Sequence, residues 1–284
     1  MCGHRAAAPA GPRKSPRVCA ARRTALITGA SSGIGEAFAH VFAAEGFNLV
    51  LTARREDRLR AVRAQLQEKY GNTVDIIAGD LSDREAPARL CATLDTRRLT
   101  IDALVNNAGY GVPGSYLSQP WSTHDAFLQV MVTAICELTY RLLPGMIERQ
   151  YGRIINVASL AGLVPSPAGH TLYAASKAFM IKFSESLAHE VRRDGVLVTA
   201  LCPGFTFSEF HDVTGTREQM KRLPPWMWMS AADVARRGYD AVMAGEPIVV
   251  PGRVNATIAT LVRILPEALV VGVGRRLGRS YRKQ

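Results

Sequence analysis

Short apolar runs punctuate the chain, most of them ending in small or polar residues, and helical patterns separate them. The first run is TALITGA at 24–30, followed by NLVLTA at 48–53, VDIIAGD at 74–80, IDALVNNAG at 101–109, GRIINVAS at 152–159, VLVTALCPG at 196–204 and PIVVPG at 247–252. Continuous apolar runs of this length are the mark of strands buried on both faces. After the first run, Phe38, Val41, Phe42 and Ala44 recur at helical spacing up to Gly46, and a charged helix is predicted over about 56–70. Strands alternating with helices predict an α/β fold: one doubly wound, mostly parallel sheet of seven strands with helices on both faces. Neither an internal repeat nor a low-complexity linker interrupts residues 24–252, so a single domain is expected there.

Composition changes this picture only at the ends. The net charge of +11 invites a nucleic-acid reading until it is located. Residues 1–23 carry six basic groups and no acid, and residues 253–284 carry seven against Glu267, which leaves the body between them at −1. A basic surface built into the fold is therefore not expected, and nucleic acid is not an expected partner. The first 23 residues, rich in Ala, Pro and Arg, read as a disordered basic arm without the apolar core of a secretory signal. The five cysteines fall in no metal-ligand or paired spacing, so no metal is expected and a reducing, cytoplasmic setting fits. No run reaches the roughly 18 unbroken apolar residues of a spanning helix.

In a doubly wound sheet, ligands bind beyond the carboxyl ends of the strands. The first strand ends in TGASSGIG at 28–35, where Gly29, Gly33 and Gly35 permit a tight turn and bring backbone N–H groups near a phosphate at a helix start. The third run ends at Asp80, the fourth in NNAG at 106–109, the fifth at Ser159 and the sixth in Pro203–Gly204. YAASK at 173–177 places Tyr173 and Lys177 on one helix face, separated by small residues. A free phenol has a pKa near 10, and a nearby ammonium is expected to lower it. Tyr173 could then exchange a proton at neutral pH.

This ordered set of motifs resembles the short-chain dehydrogenase/reductase family over about residues 24–252. The resemblance implies a Rossmann-type domain and an oxidoreductase that moves hydride between a nicotinamide and a carbonyl or alcohol. In that scheme Tyr173 is the acid–base, Lys177 also holds the nicotinamide ribose, and Ser159 steadies the substrate oxygen. It further implies cofactor contacts from Gly29, Ser31, Ser32, Gly33, Ile34 and Gly35 of the loop. Asp80 and Leu81, then Asn107, Ala108 and Gly109, and finally Pro203, Gly204, Thr206 and Ser208 complete the cofactor set. Ser208 stands where the family's carboxamide-binding Thr aligns, and Asn106 either approaches the ribose or steadies its strand.

Cofactor choice is read after the second strand. An acid there suits the ribose 2′-OH of NAD, whereas arginine suits the 2′-phosphate of NADP. The chain has Arg54 and Arg55, and its first acid is Glu56, so NADP(H) is expected over NAD(H). Three departures from the family pattern stand out. Met131 occupies the position of a usual Asn and can only weakly accept a hydrogen bond. Ala158 precedes Ser159, where a second serine is common. The interval from Ser159 to Tyr173 is one residue longer than usual. Met131 motivates an alternative function: a catalytically weak dinucleotide-binding protein that keeps the fold for sensing or interaction.

The substrate side offers less. Residues 205–237 are expected to form a lid, and PPWMWM at 224–229 supplies large apolar groups for packing or for a lipophilic carbonyl or alcohol. His170 and His211 read as structural or surface residues. Residues 253–284 are expected to form two short helices split by Pro266. They would dock on the domain or on a partner subunit, or touch an anionic membrane peripherally. The family resemblance implies a homodimer or homotetramer built on the helices carrying Met131 and Tyr173.

Overall fold

The computed structural model describes residues 22–166, 169, 171–207 and 225–265. The anticipated basic arm to residue 21, Ser208, His170, His211, most of the expected lid and the segment from Pro266 onward lie outside these residues. The seven predicted strands are present, each a few residues shorter than its apolar run. They are β1 (Thr24–Thr28), β2 (Asn48–Thr52), β3 (Val74–Ile76), β4 (Ala103–Asn106), β5 (Gly152–Val157), β6 (Val196–Leu201) and, at the edge, Ile248–Val249. All neighbours pair in parallel in the order β3-β2-β1-β4-β5-β6 and then the edge strand. The chain moves outward from β1 in one direction, returns, and moves outward from β4 in the other. A crevice therefore opens between the carboxyl ends of β1 and β4.

Helices cover both faces because the central strands are apolar on both. On one face lie α1 (Gly33–Ala44) and α2 (Glu56–Tyr70), where Phe38, Phe42, Leu59 and Leu66 are fully buried. On the other lie α3 (Ala86–Thr96), a long helix made of α4 (Trp121–Leu128) and α5 (Ala134–Glu148), and α6 (Thr171–Val191). α2 occupies the expected span. Its first turn holds the Glu56–Arg60 pair at 2.7 Å, and Gly71 ends it with φ +67, a left-handed conformation that suits glycine.

Three features escaped the sequence pattern. A π-helical turn, Gln129–Thr133, joins α4 to α5, and Met131 lies fully buried within it. π turns insert one extra residue per turn and recur at functional sites. Second, the helical stretch Trp121–Glu148 is long and apolar enough to cross a membrane. A test for unbroken apolar runs does not register it, because His124, Asp125, Gln129 and Glu137 interrupt it. Here its apolar face packs inside the domain through Phe127, Met131, Ala134 and Leu138. Third, a small parallel pair, β7 (Thr206–Phe207) and β8 (Met229–Ser230), closes the neck of the expected lid. Trp228 stacks on Phe207 at 4.7 Å and leans on Phe205 at 5.7 Å, whereas Trp226 is largely exposed. One part of the tryptophan–methionine cluster is thus packing and the other is surface. α7 (Ala231–Ala244) follows and packs on α1, with Tyr239 edge-on to Phe42 at 5.1 Å. The edge strand, β9, leads to α8 (Arg253–Ile264), the first of the two expected terminal helices.

Candidate active site

The crevice is built from the loops that leave β1, β2, β4, β5 and β6. At its floor the glycine loop runs from Thr28 into α1. Gly29 holds φ +66, and a Cβ there would fall 2.8 Å from the Asn107 amide nitrogen and 2.9 Å from the Ala108 Cα. A Cβ on Gly35 would collide with the Gly29 carbonyl oxygen. Both positions therefore require glycine, one for conformation and both for space. The loop's shape is fixed from β4. Asn107 donates its side-chain amide to the Thr28 carbonyl at 2.9 Å, and the backbone N–H groups of Asn107 and Ala108 both reach Thr28 Oγ1 at 2.9 Å. Asn107, expected as a cofactor contact, is thus also a clamp between two strand ends. Asn106 is turned into the core, where it bonds Asn156 at 2.8 Å, so it steadies its strand rather than facing the crevice.

The second rim follows β2. Arg55 donates to Ser31 Oγ at 3.2 Å and to Ser32 Oγ at 3.0 Å, so one guanidinium spans both loop serines. Arg54 and Asp80 lie close enough to Tyr110 to act on its phenol, which burial raises above its ordinary pKa. Residues far apart in sequence therefore meet along one edge. Asp80 is exposed and accepts the Ser82 N–H at 3.0 Å, while the neighbouring Leu81 is buried.

The third group stands where β5 and β6 end. Ser159 begins a 3-10 turn and accepts the Ala161 N–H at 3.1 Å. Its hydroxyl also lies close enough to Tyr173, in the first turn of α6, to act on the phenol. One turn further, Lys177 is buried and donates to the Val157 carbonyl at 2.7 Å, with its Nζ 5.7 Å from the centre of the Tyr173 ring. The YAASK spacing does place both side chains on one face. The expected electrostatics do not follow. Burial raises the Tyr173 phenol above its usual pKa, and the nearby Ser159 hydroxyl offsets this only in part. Lys177 is itself pulled down to about 8 by burial. In this state desolvation outweighs the attraction that spacing alone suggested.

Pro203 accepts the Leu160 N–H at 2.9 Å, which ties the β5 and β6 ends together. Gly204 packs so closely on the buried Asn255 of α8 that a Cβ would overlap its side chain. Thr206 is buried, and its hydroxyl donates to the Gly204 carbonyl at 3.2 Å. Gly109 meets Met131, whose sulfur would lie 2.9 Å from a Cβ on that glycine. Met131 is therefore wedged beneath the NNAG turn. A shallow, open cleft leads to Tyr173 and is lined by Val112, Ser115, Tyr116, His124, Phe127 and Leu172, among others. His124 carries no motif that would have singled it out in the sequence; only the helix register beside Phe127 places it here.

A crevice with a glycine cradle, a guanidinium over its serines and a Ser–Tyr–Lys group at the far end defines a nicotinamide-dependent oxidoreductase class. The family model for short chain dehydrogenases matches residues 23–219 of the chain. Nodulation protein G of Rhizobium sp. (strain N33) is 36% identical over 216 residues, covering 75% of this chain and 86% of that protein. The very-long-chain 3-oxoacyl-CoA reductase of Anas platyrhynchos is 35% identical over 195 residues, 67% of this chain and 62% of that protein. Among solved structures, a short-chain dehydrogenase from Sphingobium yanoikuyae in complex with NADPH superposes with a TM-score of 0.76 at 29% identity, over 92% of this chain and 96% of that one. The chain belongs to the short-chain dehydrogenase/reductase family.

Proposed function

We propose that the protein is an NADP(H)-dependent reductase or dehydrogenase of a lipophilic carbonyl or alcohol, with Tyr173 as its acid–base. The carrying observation is that Tyr173 stands beside Ser159 and the buried Lys177, at the end of a cleft whose walls include Val112, Phe127 and Leu172. When bound, the nicotinamide supplies the hydride. The rest falls to the protein. Tyr173, whose raised pKa keeps the phenol protonated at neutral pH, donates its proton to the substrate oxygen as that oxygen gains charge. Ser159 holds the same oxygen by hydrogen bonding. Lys177 commits one donor to Val157 and presents its charge beneath the phenol. The glycine loop fits a pyrophosphate because its glycines let the backbone turn tightly into the start of α1, and Arg55 with Ser31 and Ser32 fits a 2′-phosphate. The NADPH carried by the Sphingobium relative, and the reductase name of the Anas relative, support the same reading.

Met131 supports a second reading, a weakly catalytic dinucleotide binder, because a fully buried thioether fills the place where a relay amide is usual. One experiment separates the two. Purified protein with NADPH is screened against aldehydes, ketones and quinones, with Tyr173→Phe in parallel. The first reading requires turnover that falls by about 10²- to 10⁴-fold in the variant, with NADPH affinity within a few-fold. Turnover that survives Tyr173→Phe would remove Tyr173 from the chemistry, and no turnover with tight NADPH binding would favour the second reading. Exposed Tyr140 on α5 and Phe179 on α6 also support an oligomer assembled through those helices.

A further inference from the structure

The last described helix, α8, has two faces of different character. Its inner face is held by the domain. Asn255 is buried, donates to the Pro251 carbonyl at 3.1 Å, and lies against Gly204 past the end of β6 and against the Met229 sulfur of β8. Ala259, one turn on, is buried as well. The outer face is apolar and open. Val254, Leu261 and Ile264 share one side of the helix by their spacing, and Leu261 is 48% and Ile264 74% exposed. Two threonines stand among them, and both turn their hydroxyls back onto the helix. Thr257 Oγ1 donates to the Arg253 carbonyl and Thr260 Oγ1 to the Ala256 carbonyl, each at 2.9 Å. A helix docked on a domain ordinarily shows water its polar side. This one shows large aliphatic groups.

The charge around that face has one sign. No acid occurs from Arg253 to Pro266, and Arg253 and Arg263 are both exposed. Exposed arginines elsewhere on the domain are matched, Arg60 by Glu56, Arg84 by Asp125 and Arg236 by Glu45. Among the described residues neither Arg253 nor Arg263 has an ion pair. Arg263 acts on Glu185 only at a distance, and Glu185 already holds Lys182 at 2.7 Å. Beyond α8 the sequence adds five basic residues against Glu267 alone. An apolar face bordered by unmatched cations complements a surface that is negative at its rim and apolar beneath. We propose that α8 docks the protein on an anionic phospholipid surface, with Leu261 and Ile264 entering the headgroup layer and Arg253 and Arg263 meeting lipid phosphates. A second copy of the chain, paired about a two-fold axis, would set these cations against themselves. Because Asn255 ties α8 to Gly204 and Met229, docking also brings the lid neck toward the bilayer, and there Phe207 and Trp226 stand exposed. A lipophilic substrate of the kind proposed above would be met in the phase where it dissolves, although the docking itself does not depend on that reading.

The test sediments the full chain with vesicles of phosphatidylcholine alone and of equal parts phosphatidylcholine and phosphatidylglycerol, at low and at high salt. Binding is expected on the anionic vesicles, should be weak on the neutral ones, and should fall with salt. Leu261→Ser with Ile264→Ser should lower affinity for the anionic vesicles by roughly tenfold or more, whereas Leu261→Phe with Ile264→Phe should retain it. Arg253→Glu with Arg263→Glu should lower it to a similar degree. These side chains are exposed, so the thermal midpoint and NADPH affinity should stay near their wild-type values. No turnover is read, so a failure of the reductase reading leaves this test standing. Arg13→Gln, Lys14→Gln and Arg17→Gln together, in the N-terminal segment, should change vesicle binding little. The proposal is overturned if the full chain ignores anionic vesicles, if the serine pair binds them as well as the wild type, or if the loss follows the N-terminal changes instead. It is also overturned if the serine pair splits an oligomer in vesicle-free solution, seen by sedimentation velocity, because the face would then be a contact between copies.

Discussion

The β1–β2 half of the crevice and the β5–β6 half are built on different physical terms. The first is made from backbone. Its shape comes from glycines that exclude Cβ atoms, from two N–H groups converging on Thr28, and from Asn107 bridging two strand ends. The second is made from side chains whose behaviour depends on how deeply they are buried: Tyr173 with a raised pKa, Lys177 at about 8, and Met131 under Gly109. Steric exclusion is all-or-none and tolerates no substitution. Desolvation is graded and responds to pH and to whatever ligand enters.

The sharpest way to break the backbone half is Gly35→Val. The branched side chain must enter space held by the Gly29 carbonyl, so NADPH affinity is expected to fall by roughly a thousandfold, about 4 kcal/mol. Fluorescence titration measures this, and a thermal scan shows whether the domain still folds. The side-chain half is probed by pH. Lys177 drops from an ordinary 10.5 to about 8 on folding, so between those values the unfolded chain binds the extra proton. The buried Lys177 charge therefore penalises the native state below that window, and stability is regained as pH climbs through it, by up to about 3 kcal/mol. Lys177→Met should accordingly be at its most favourable relative to the wild type near pH 7 and lose that advantage as the pH approaches 10. Denaturant melts across that range check the sign, and a constant difference would contradict the buried charge. Smaller is the effect at the rim. Arg55→Ala should cut the preference for NADPH over NADH by about tenfold, or 1.4 kcal/mol, in parallel titrations of both cofactors. Smallest is Met131→Asn. The π turn persists without an asparagine there, so turnover should change by less than about tenfold, an amount equal to 1.4 kcal/mol. A larger gain would show that the native methionine restrains the reaction.

These two halves also differ in how far they could be read from sequence. Strands buried on both faces declare themselves as apolar runs, and glycines needed for space stand at fixed offsets from a strand end. β1, its glycine loop and α2 were legible for that reason. Burial has no such local signature. The Tyr173–Lys177 spacing correctly implies a shared helix face, yet the direction of the phenol's shift depends on packing against Ser159 and on the depth of α6. The π turn at Gln129–Thr133 needs no special residue type, and β7 and β8 are two residues each, too short for any periodicity to register. His124 escaped for a related reason. A histidine flanked by Thr123 and Asp125 reads as a solvated helix face until Tyr116 folds over it. Arg54 and Arg55 were legible as a pair. That Arg55 in particular lies across Ser31 and Ser32 depends on how the β2 end meets the loop in space.

The clamp of Asn107 on Thr28 has a consequence for the order of events on the ribosome. β1 emerges before β4, but it is a central strand and needs β4, whose residues Ala103 to Val105 pair with Ala25 to Ile27. Until those residues leave the exit tunnel, β1 can hold β2 on one side only, and its other edge stays open. The glycine loop likewise has nothing to brace it before Asn107 arrives. Contacts this distant along the chain make folding slow and leave an apolar strand edge open to wrong partners in the interval. The same bridge that gives the mature loop its shape therefore makes every nascent chain pass through a stage in which a central, apolar strand is half paired.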